Sequence, residues 1–531
     1  MFVDKGPKDR IDYSSAISDI SQEAIARRRK QMGRTDVFDE TDLPVHEAYI
    51  QKTLEVLNIN YNNVRTRSRI LNAISIKISD ETQLSVLANL PFIKFIDVVT
   101  TFKKTPSRET SPAPKTRSTQ QSTLNYGISE PQLQQINAIQ AHQQGLNGTG
   151  VIVAVLDCGF RLDHVAFKNL NIINTFNFIN NNTNVDNGPN DPDNQRYHGT
   201  YTLSTIGGMD PVNGFYGPAF ASKYLLAKTE YVATETIVEE DYYMSGVEWA
   251  ERNGAQVLSA SLGYTGWWRP EEIDGKSAIT TRAVNWATDR GVVCVTSAGN
   301  EGLKGIKVPA DAFNSIAVGA IYLNGTIARF SSRGPSYDGR IKPEVVALGV
   351  STQCADPKTN NKYAPVSGTS LSTPLVAGAA ALLLQSHPNW TVAQVKEALT
   401  ATADNAYSPN NVVGWGLIDI IKANSYQVST NLTFCNCSSH GTCVQGRGCV
   451  CYLGWEGTAC ENYVCDPTSC FRGFCQRDGS CICYLAWTGD KCDSYTGVYP
   501  NSAVSTGISW LLFIGVFTLL FLLQQLGHRV E

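Results

Sequence analysis

The run VIVAVL at residues 151–156, followed at once by Asp157, Cys158 and Gly159, decides the fold. Six consecutive apolar residues of strand length describe a strand covered on both faces, which is the pattern of a parallel sheet. Similar runs recur as KYLLAK at 223–228, AQVLSASLG at 255–263, GVVCVTSAG at 291–299 and SIAVGAI at 315–321. Helical stretches lie between them, DYYMSGVEWAERNG at 241–254 and ITTRAVNWATDRG at 279–291. The alternation predicts an α/β domain built on a doubly wound parallel sheet. It closes near Lys422, after a long apolar helix from Pro374 and the amphipathic TVAQVKEALTATA at 391–403.

In such a sheet, reactive groups sit just beyond the carboxyl ends of the strands, where Asp157 falls. Taken alone, Asp157 is equally a metal ligand, a ribose ligand or a helix cap. A second segment, RYHGTYTLSTIGG at 196–208, opens a helix with His198 at its mouth. A third, SGTSLSTPLVAG at 367–378, sets Ser370 at the amino end of a buried helix, whose free N–H groups and dipole favour developing negative charge. Ser370 would also serve there as a plain capping residue.

Asp, His and Ser in that order resemble the subtilisin-like serine peptidases, the subtilases. VLDCGF, RYHGTYTLSTIGG, VTSAGN and SGTSLSTPLVAG match that family's Asp, His, oxyanion and Ser segments, and the likeness runs from about Asn125 to Ala423. The resemblance implies a catalytic domain over 125–425 that hydrolyses peptide bonds through an acyl-enzyme. Ser370 would attack, His198 would carry the proton and Asp157 would hold the imidazole tautomer. Asn300 would aim its amide at the oxyanion. Ser261, Leu262 and Gly263, with Ser297, Ala298 and Gly299, would form the substrate-binding strand and its neighbour. Protein or peptide substrates are the partners implied. Cys158 stands where the family has a small Thr or Ser, and it predicts sensitivity to thiol reagents.

Residues 50–104 carry an alternating run at 70–78, a capped amphipathic stretch at 79–90 and a closing apolar run at 92–99. They resemble the inhibitory propeptide of subtilases, so the chain's own prosegment is expected as its inhibitor and the protein as a zymogen. Residues 1–49 have no assigned role. The polar, Pro-bearing run at 105–124 reads as a linker open to cleavage. LNYGISEPQ, from Leu124, resembles the opening of a mature subtilase.

Fifteen cysteines include a dense set of twelve near the carboxyl end, the signature of a disulfide scaffold in an oxidising compartment. Two groups of six resemble EGF-like modules over 435–460 and 465–492. That resemblance implies the pairs Cys435–Cys443, Cys437–Cys449 and Cys451–Cys460, then Cys465–Cys475, Cys470–Cys481 and Cys483–Cys492. Without paired C-x2-C sets, zinc is not expected. Sequons at Asn147, Asn181, Asn324, Asn389, Asn431 and Asn436 suit the same compartment. After a stalk at 493–503, the uncharged residues 504–523 have the length of a single membrane span, leaving a short tail at 524–531; a glycolipid-anchor signal is the alternative. The expected location is a single-pass membrane protein with its catalytic domain extracellular or lumenal. No apolar leader is visible at the amino terminus, and we expect a truncated or misassigned start rather than a cytosolic tail-anchored protein.

A net charge of -4 gives no reason to expect nucleic acid. The basic run Arg27, Arg28, Arg29 and Lys30 reads as a solvated helix face. The chemistry needs no cofactor or metal. A structural calcium ion in the Asn/Asp-rich loop at 180–194 is left open, with a solvated insertion preferred. Two rival functions are a catalytically inactive EGF-bearing adhesion protein on the same scaffold, and a lipase or esterase. The second would place its Ser in G-x-S-x-G and before the Asp and His, and this chain does neither.

Overall fold

The computed structural model describes residues 1–6, 17–78, 84–97, 99, 101–102, 124–428, 441–444, 448–451, 455–463, 473–475, 481–483 and 487–495. Helix α1 (Gln22–Met32) starts under a Ser21 cap, which accepts from the Ala24 N–H, and ends at Gly33 in the left-handed region. Its basic run is solvated at Arg29 and in part at Lys30, but not at the two residues before them. Arg27 and Arg28 are buried, Arg28 fully, because acidic partners far along the chain neutralise them: Glu251 for both and Asp42 for Arg28.

Helix α2 (Glu47–Val56) and the antiparallel pair β1 (Val64–Ser68) and β2 (Ala73–Ile76) enclose a small core of Phe2, Val45, Ile50 and Leu54. Phe92 stacks on Tyr49, ring centroids 4.5 Å apart. The described residues of the run at 92–99 form no regular strand. Its backbone partner is the amino terminus: Val3 N–H donates to Phe92 and Lys94 N–H to Met1, each 3.0 Å, around an isolated bridge between Phe2 and Ile93. Residues 1–6 therefore belong to the same small domain. Of the helix expected at 79–90, the described part is one turn, Leu84–Leu87. A two-residue strand β3 (Thr101–Phe102) then pairs antiparallel with β7 (Glu235–Thr236) of the large domain.

The large domain is a seven-stranded parallel sheet. Its strands are β4 (Ile152–Asp157), β5 (Asn171–Asn177), β6 (Lys223–Lys228), β8 (Val257–Ala260), β9 (Val293–Ser297), β10 (Ile316–Ile321) and β11 (Val345–Leu348), in the spatial order β11-β10-β9-β8-β4-β6-β5. Both faces are covered, and β4 shows why its sequence is apolar throughout. Val153 and Val155 pack into the cluster that holds the apolar helix α6 (Thr369–Ser386), while Ile152, Ala154 and Leu156 pack beneath α4 (Val238–Arg252) and α5 (Ile279–Asp289). A smaller helix, α3 (Tyr197–Gly207), lies against α6. Strand order reverses at β4, between β6 and β8, which puts Asp157 at the switch point.

The chain divides into two compact units, residues 1–464 and 465–531. At the end of the first, Gly441–Val444 pairs with Gly448–Cys451 and Trp455–Glu456 with Asn462–Tyr463, and Cys451 is bonded to Cys460. The second repeats the pattern with Gly473–Cys475 on Cys481–Cys483 and Trp487–Thr488 on Ser494–Tyr495. Cys449, Cys481 and Cys492 are disulfide-bonded as well. Among the described residues no helix is long and apolar enough to cross a membrane; the expected span at 504–523 lies outside them.

Candidate active site

The site forms where β4, β8 and β9 end. Asp157, the last residue of β4, has no exposure to solvent. Its Oδ1 accepts from the Cys158 N–H at 2.8 Å and lies 2.8 Å from His198 Nδ1, and its Oδ2 accepts from Thr202 Oγ1 at 2.9 Å. Burial alone would raise this carboxyl; the His198 charge and these donors outweigh it and hold Asp157 below the ordinary carboxylate range. His198 is the second residue of α3 and its side chain is about one-third exposed. The helix can approach this closely because residue 199 is glycine. A Cβ there would lie 2.2 Å from the Gly159 carbonyl oxygen and 3.0 Å from Asp157 Cβ.

Ser370 is the second residue of α6. The helix begins at Thr369, so Ser370 stands at its amino end as expected, and Pro374, from which the long apolar run was expected, sits inside it. Pro374 has no N–H to give the Ser370 carbonyl, four residues back. Ser261 fills the gap: its hydroxyl donates to the Ser370 carbonyl at 2.9 Å, and Ser370 Oγ donates to the Ser261 carbonyl at 3.4 Å. The segment Ser261–Leu262–Gly263 is thus fastened directly to the serine. It prolongs β8 beyond its last ladder residue, Ala260, which pairs with Leu156 on one side and Thr296 on the other.

Asn300 follows β9, after Ser297, Ala298 and Gly299. Its Oδ1 accepts from both the N–H and the Oγ1 of Thr369, at 2.9 and 3.0 Å. This fixes which way the amide faces, beside the residue that precedes Ser370. Ala298 is tied on both sides, donating to Val318 and accepting from Lys307, each at 3.0 Å. The expected residues are therefore gathered at one edge of the sheet. Asp157 bonds His198, Ser261 bonds Ser370, and Asn300 bonds the neighbour of Ser370.

Two buried residues here had no sequence signal. Gln195 donates to the carbonyls of Cys158 (2.5 Å) and Glu230 (2.7 Å) and accepts from the Val232 N–H, which locks the approach to His198 onto the turn after Asp157. Lys228, paired with Asp157 in the ladder, sends its ammonium to Asp191 Oδ2 (2.5 Å) and the Asp186 carbonyl (3.1 Å). Arg196 pairs with the Asp186 carboxylate at 2.8 Å. Side-chain cations thus occupy two carboxylates of the Asn/Asp-rich loop.

Asp157, Cys158 and His198 also bring potential metal-ligand atoms within 4.8 Å of one another. A metal would need the thiolate. Burial, with the charges of Asp157 and Glu230, instead pushes the Cys158 thiol well above its usual value. The same facts overturn the expected sensitivity to thiol reagents, since Cys158 is buried as well as protonated.

The subtilase family model matches residues 148–416, half of the chain, and a propeptide-domain model of the same peptidase family from Bacteroidota matches residues 1–116. The chain belongs to the subtilase family of serine peptidases and carries its propeptide. It is 35% identical over 299 residues to Subtilisin Savinase of Lederbergia lenta, covering 56% of this chain and 97% of that protein. It is likewise 35% identical over 305 residues to Subtilisin E of Bacillus subtilis (strain 168), covering 56% and 70%. Fervidolysin from Fervidobacterium pennivorans shares the fold, with a TM-score of 0.55 at 22% identity over 73% of this chain and 61% of that one.

Iodoacetamide should leave the folded enzyme fully active, with Cys158, Cys294 and Cys354 unmodified by peptide mass mapping until denaturant is added. A Cys158 adduct formed under native conditions, with loss of activity, would contradict the burial argument.

Proposed function

We propose that this subtilase is a serine endopeptidase of the secretory pathway or cell surface, in which Ser370 is the nucleophile, His198 the general base and acid, and Asp157 the residue that holds the imidazole. The observation that carries the proposal is the Asp157–His198 contact of 2.8 Å, made by a fully buried carboxylate at the switch point of the sheet. With Nδ1–H given to Asp157, Nε2 is the basic nitrogen and takes the hydroxyl proton. Carbonyl attack then moves negative charge onto the substrate oxygen. Asn300, its amide oriented by Thr369, donates to that oxyanion together with the Ser370 N–H at the start of α6. Substrate pairs as an added strand on Ser261–Gly263, beside Ser297–Gly299.

The finer architecture belongs to the same proposal. Two EGF-like modules at 435–460 and 465–492 act as a spacer. This is supported by the Cys451–Cys460 bond and by hairpins recurring in the same order in both segments. A helix at 504–523 anchors the chain once in the membrane with the protease outside, supported by the uncharged run itself and by Arg529 beyond it. The propeptide blocks the cleft until the linker is cut. The β3–β7 pairing supports this, because it leads the chain from the propeptide along the strand that follows β6.

Ser370→Ala should abolish both peptide hydrolysis and labelling by a fluorophosphonate, and undiminished labelling would refute the nucleophile. Asn300→Ala should lower kcat by about 10²–10³, a magnitude established on subtilisin itself, with KM little changed; an effect confined to KM would remove its oxyanion role. Amino-terminal sequencing should find the active chain beginning near Asn125 and the Ser370→Ala chain uncut, whereas identical trimming in both would assign the cut to another protease. Protease added to intact cells should digest the catalytic domain, and protection until permeabilisation would reverse the proposed orientation.

A further inference from the structure

The propeptide touches the catalytic domain along the whole of α4. At its amino end, β3 pairs with β7 just before the helix. At its middle, Glu248 accepts from Ser68 Oγ (2.8 Å) and from the N–H groups of Arg69 and Ile70 (3.1 and 3.2 Å). One turn later, Glu251 takes Arg27 and Arg28, two of the three arginines of α1, and this third contact is built differently from the others.

Arg28 meets the Glu251 carboxylate with two parallel bonds, Nε to Oε1 at 2.7 Å and an Nη to Oε2 at 2.6 Å, and also pairs with Asp42 at 2.8 Å. Arg27 pairs with Glu251 from the other side and spends its remaining donors on the backbone carbonyls of Arg290 (3.0 Å), Ala255 (2.6 Å) and Glu251. Around this centre, Ser21 N–H donates to the Arg252 carbonyl, Trp286 and Arg290 donate to Thr41, Arg290 pairs with Asp39, and Gln31 accepts from the Val392 N–H. Both arginines and Glu251 are buried. Bidentate, fully desolvated pairing of this kind favours arginine over lysine and discriminates strongly against an unpaired partner.

The contact is remote from the cleft. Ala255 and Arg290 lie just before β8 and β9, whose opposite ends carry Ser261 and Ser297. From Ala255 to Ala260 the strand rises about 17 Å. Nothing here touches Asp157, His198, Ser370 or Asn300.

We propose that the face between the carboxyl ends of α4 and α5 is a second docking site of the protease, recognising a helix with two adjacent arginines, and that it holds residues 17–43 of the chain's own propeptide after the linker is cut. Cutting the tether removes its high effective concentration, so retention then depends on the interface alone. The Glu251 clamp supplies that retention, and the cut propeptide leaves slowly. The biological meaning rests on the reading of the propeptide as the enzyme's inhibitor, but the docking site does not depend on self-processing.

The test uses the full chain carrying Ser370→Ala, with the recognition sequence of an unrelated site-specific protease placed between residues 105 and 123. After cleavage, departure of the propeptide is followed by size-exclusion chromatography over time. The Arg28→Ala chain should release it at least about a hundredfold faster, because losing the bidentate partner leaves Glu251 with Arg27 alone and takes the nearest cation from buried Asp42. Equal release rates would overturn the proposal. In case Arg28→Ala does not fold, hydrogen exchange on the cut chain with both arginines intact decides the matter. Amides of α1 should be the slowest to exchange in the propeptide. Free exchange in α1 with protected β1 and β2 would equally overturn it. Because the cut is imposed, neither result changes if Ser370 proves not to be the nucleophile.

Discussion

A carboxylate shut away from water costs several kcal/mol to keep ionised unless its environment replaces the lost hydration. Asp157 is in that position, and much of the large domain is arranged to supply the replacement. The sheet brings it to the switch point, the turn that follows gives it the Cys158 N–H, and α3 gives it both Thr202 and His198. Those demands fix the neighbours in turn. Gly199 lets α3 approach, and Gln195 ties the approach to α3 onto the turn after Asp157. On the next strands over, Ser261 compensates the proline inside α6 and Thr369 orients Asn300. The candidate residues Asp157, His198, Ser370 and Asn300 are each held by short hydrogen bonds at the same end of the sheet.

The central strands could be read from the sequence because burial on both faces leaves no room for polar residues, so β4, β8, β9 and β10 announce themselves as apolar runs. The sheet's two outer strands did not. NIINTFN of β5 is partly exposed and mixed in character, and β11 is four residues long behind a proline and a glutamate. Ser370 was legible at the amino end of α6, but not how the helix keeps Pro374 inside it; the compensating hydroxyl lies 109 residues away in the chain. Asp, His, Ser and Asn were legible since their order and local settings are short motifs. Gln195 and Lys228 have no motif, and their roles depend on what folding sets opposite them.

The basic run shows the same limit more sharply. Four adjacent cations read as a solvated face whenever only the local helix is considered. Glu251, the partner of Arg27 and Arg28 alone, is separated by 223 residues from Arg28. Burial would raise the Glu251 carboxyl, but Arg27 and Arg28 override it and hold it below its ordinary value. A carboxyl lowered on folding stabilises the paired state above its unfolded pKa, and that contribution is lost as pH falls through the lower, folded value. The Glu251 contact therefore contributes fully at neutral pH and is lost on acidification, whereas Glu248, whose carboxyl is raised by burial, works in the opposite direction. With Glu248 capping the 68–71 turn from the same helix, α4 serves as the spine on which the small domain is mounted.

The nucleophilic role of Ser370 is decided by a crystal structure of the processed enzyme with a peptide aldehyde. The expected result is a covalent bond from Ser370 Oγ to the aldehyde carbon, His198 still bonded to Asp157, and the new oxyanion within about 2.7–3.1 Å of the Asn300 amide and the Ser370 N–H. An aldehyde bound away from Ser370, or a hemiacetal whose oxygen turns to solvent with Asn300 pointing elsewhere, would contradict it.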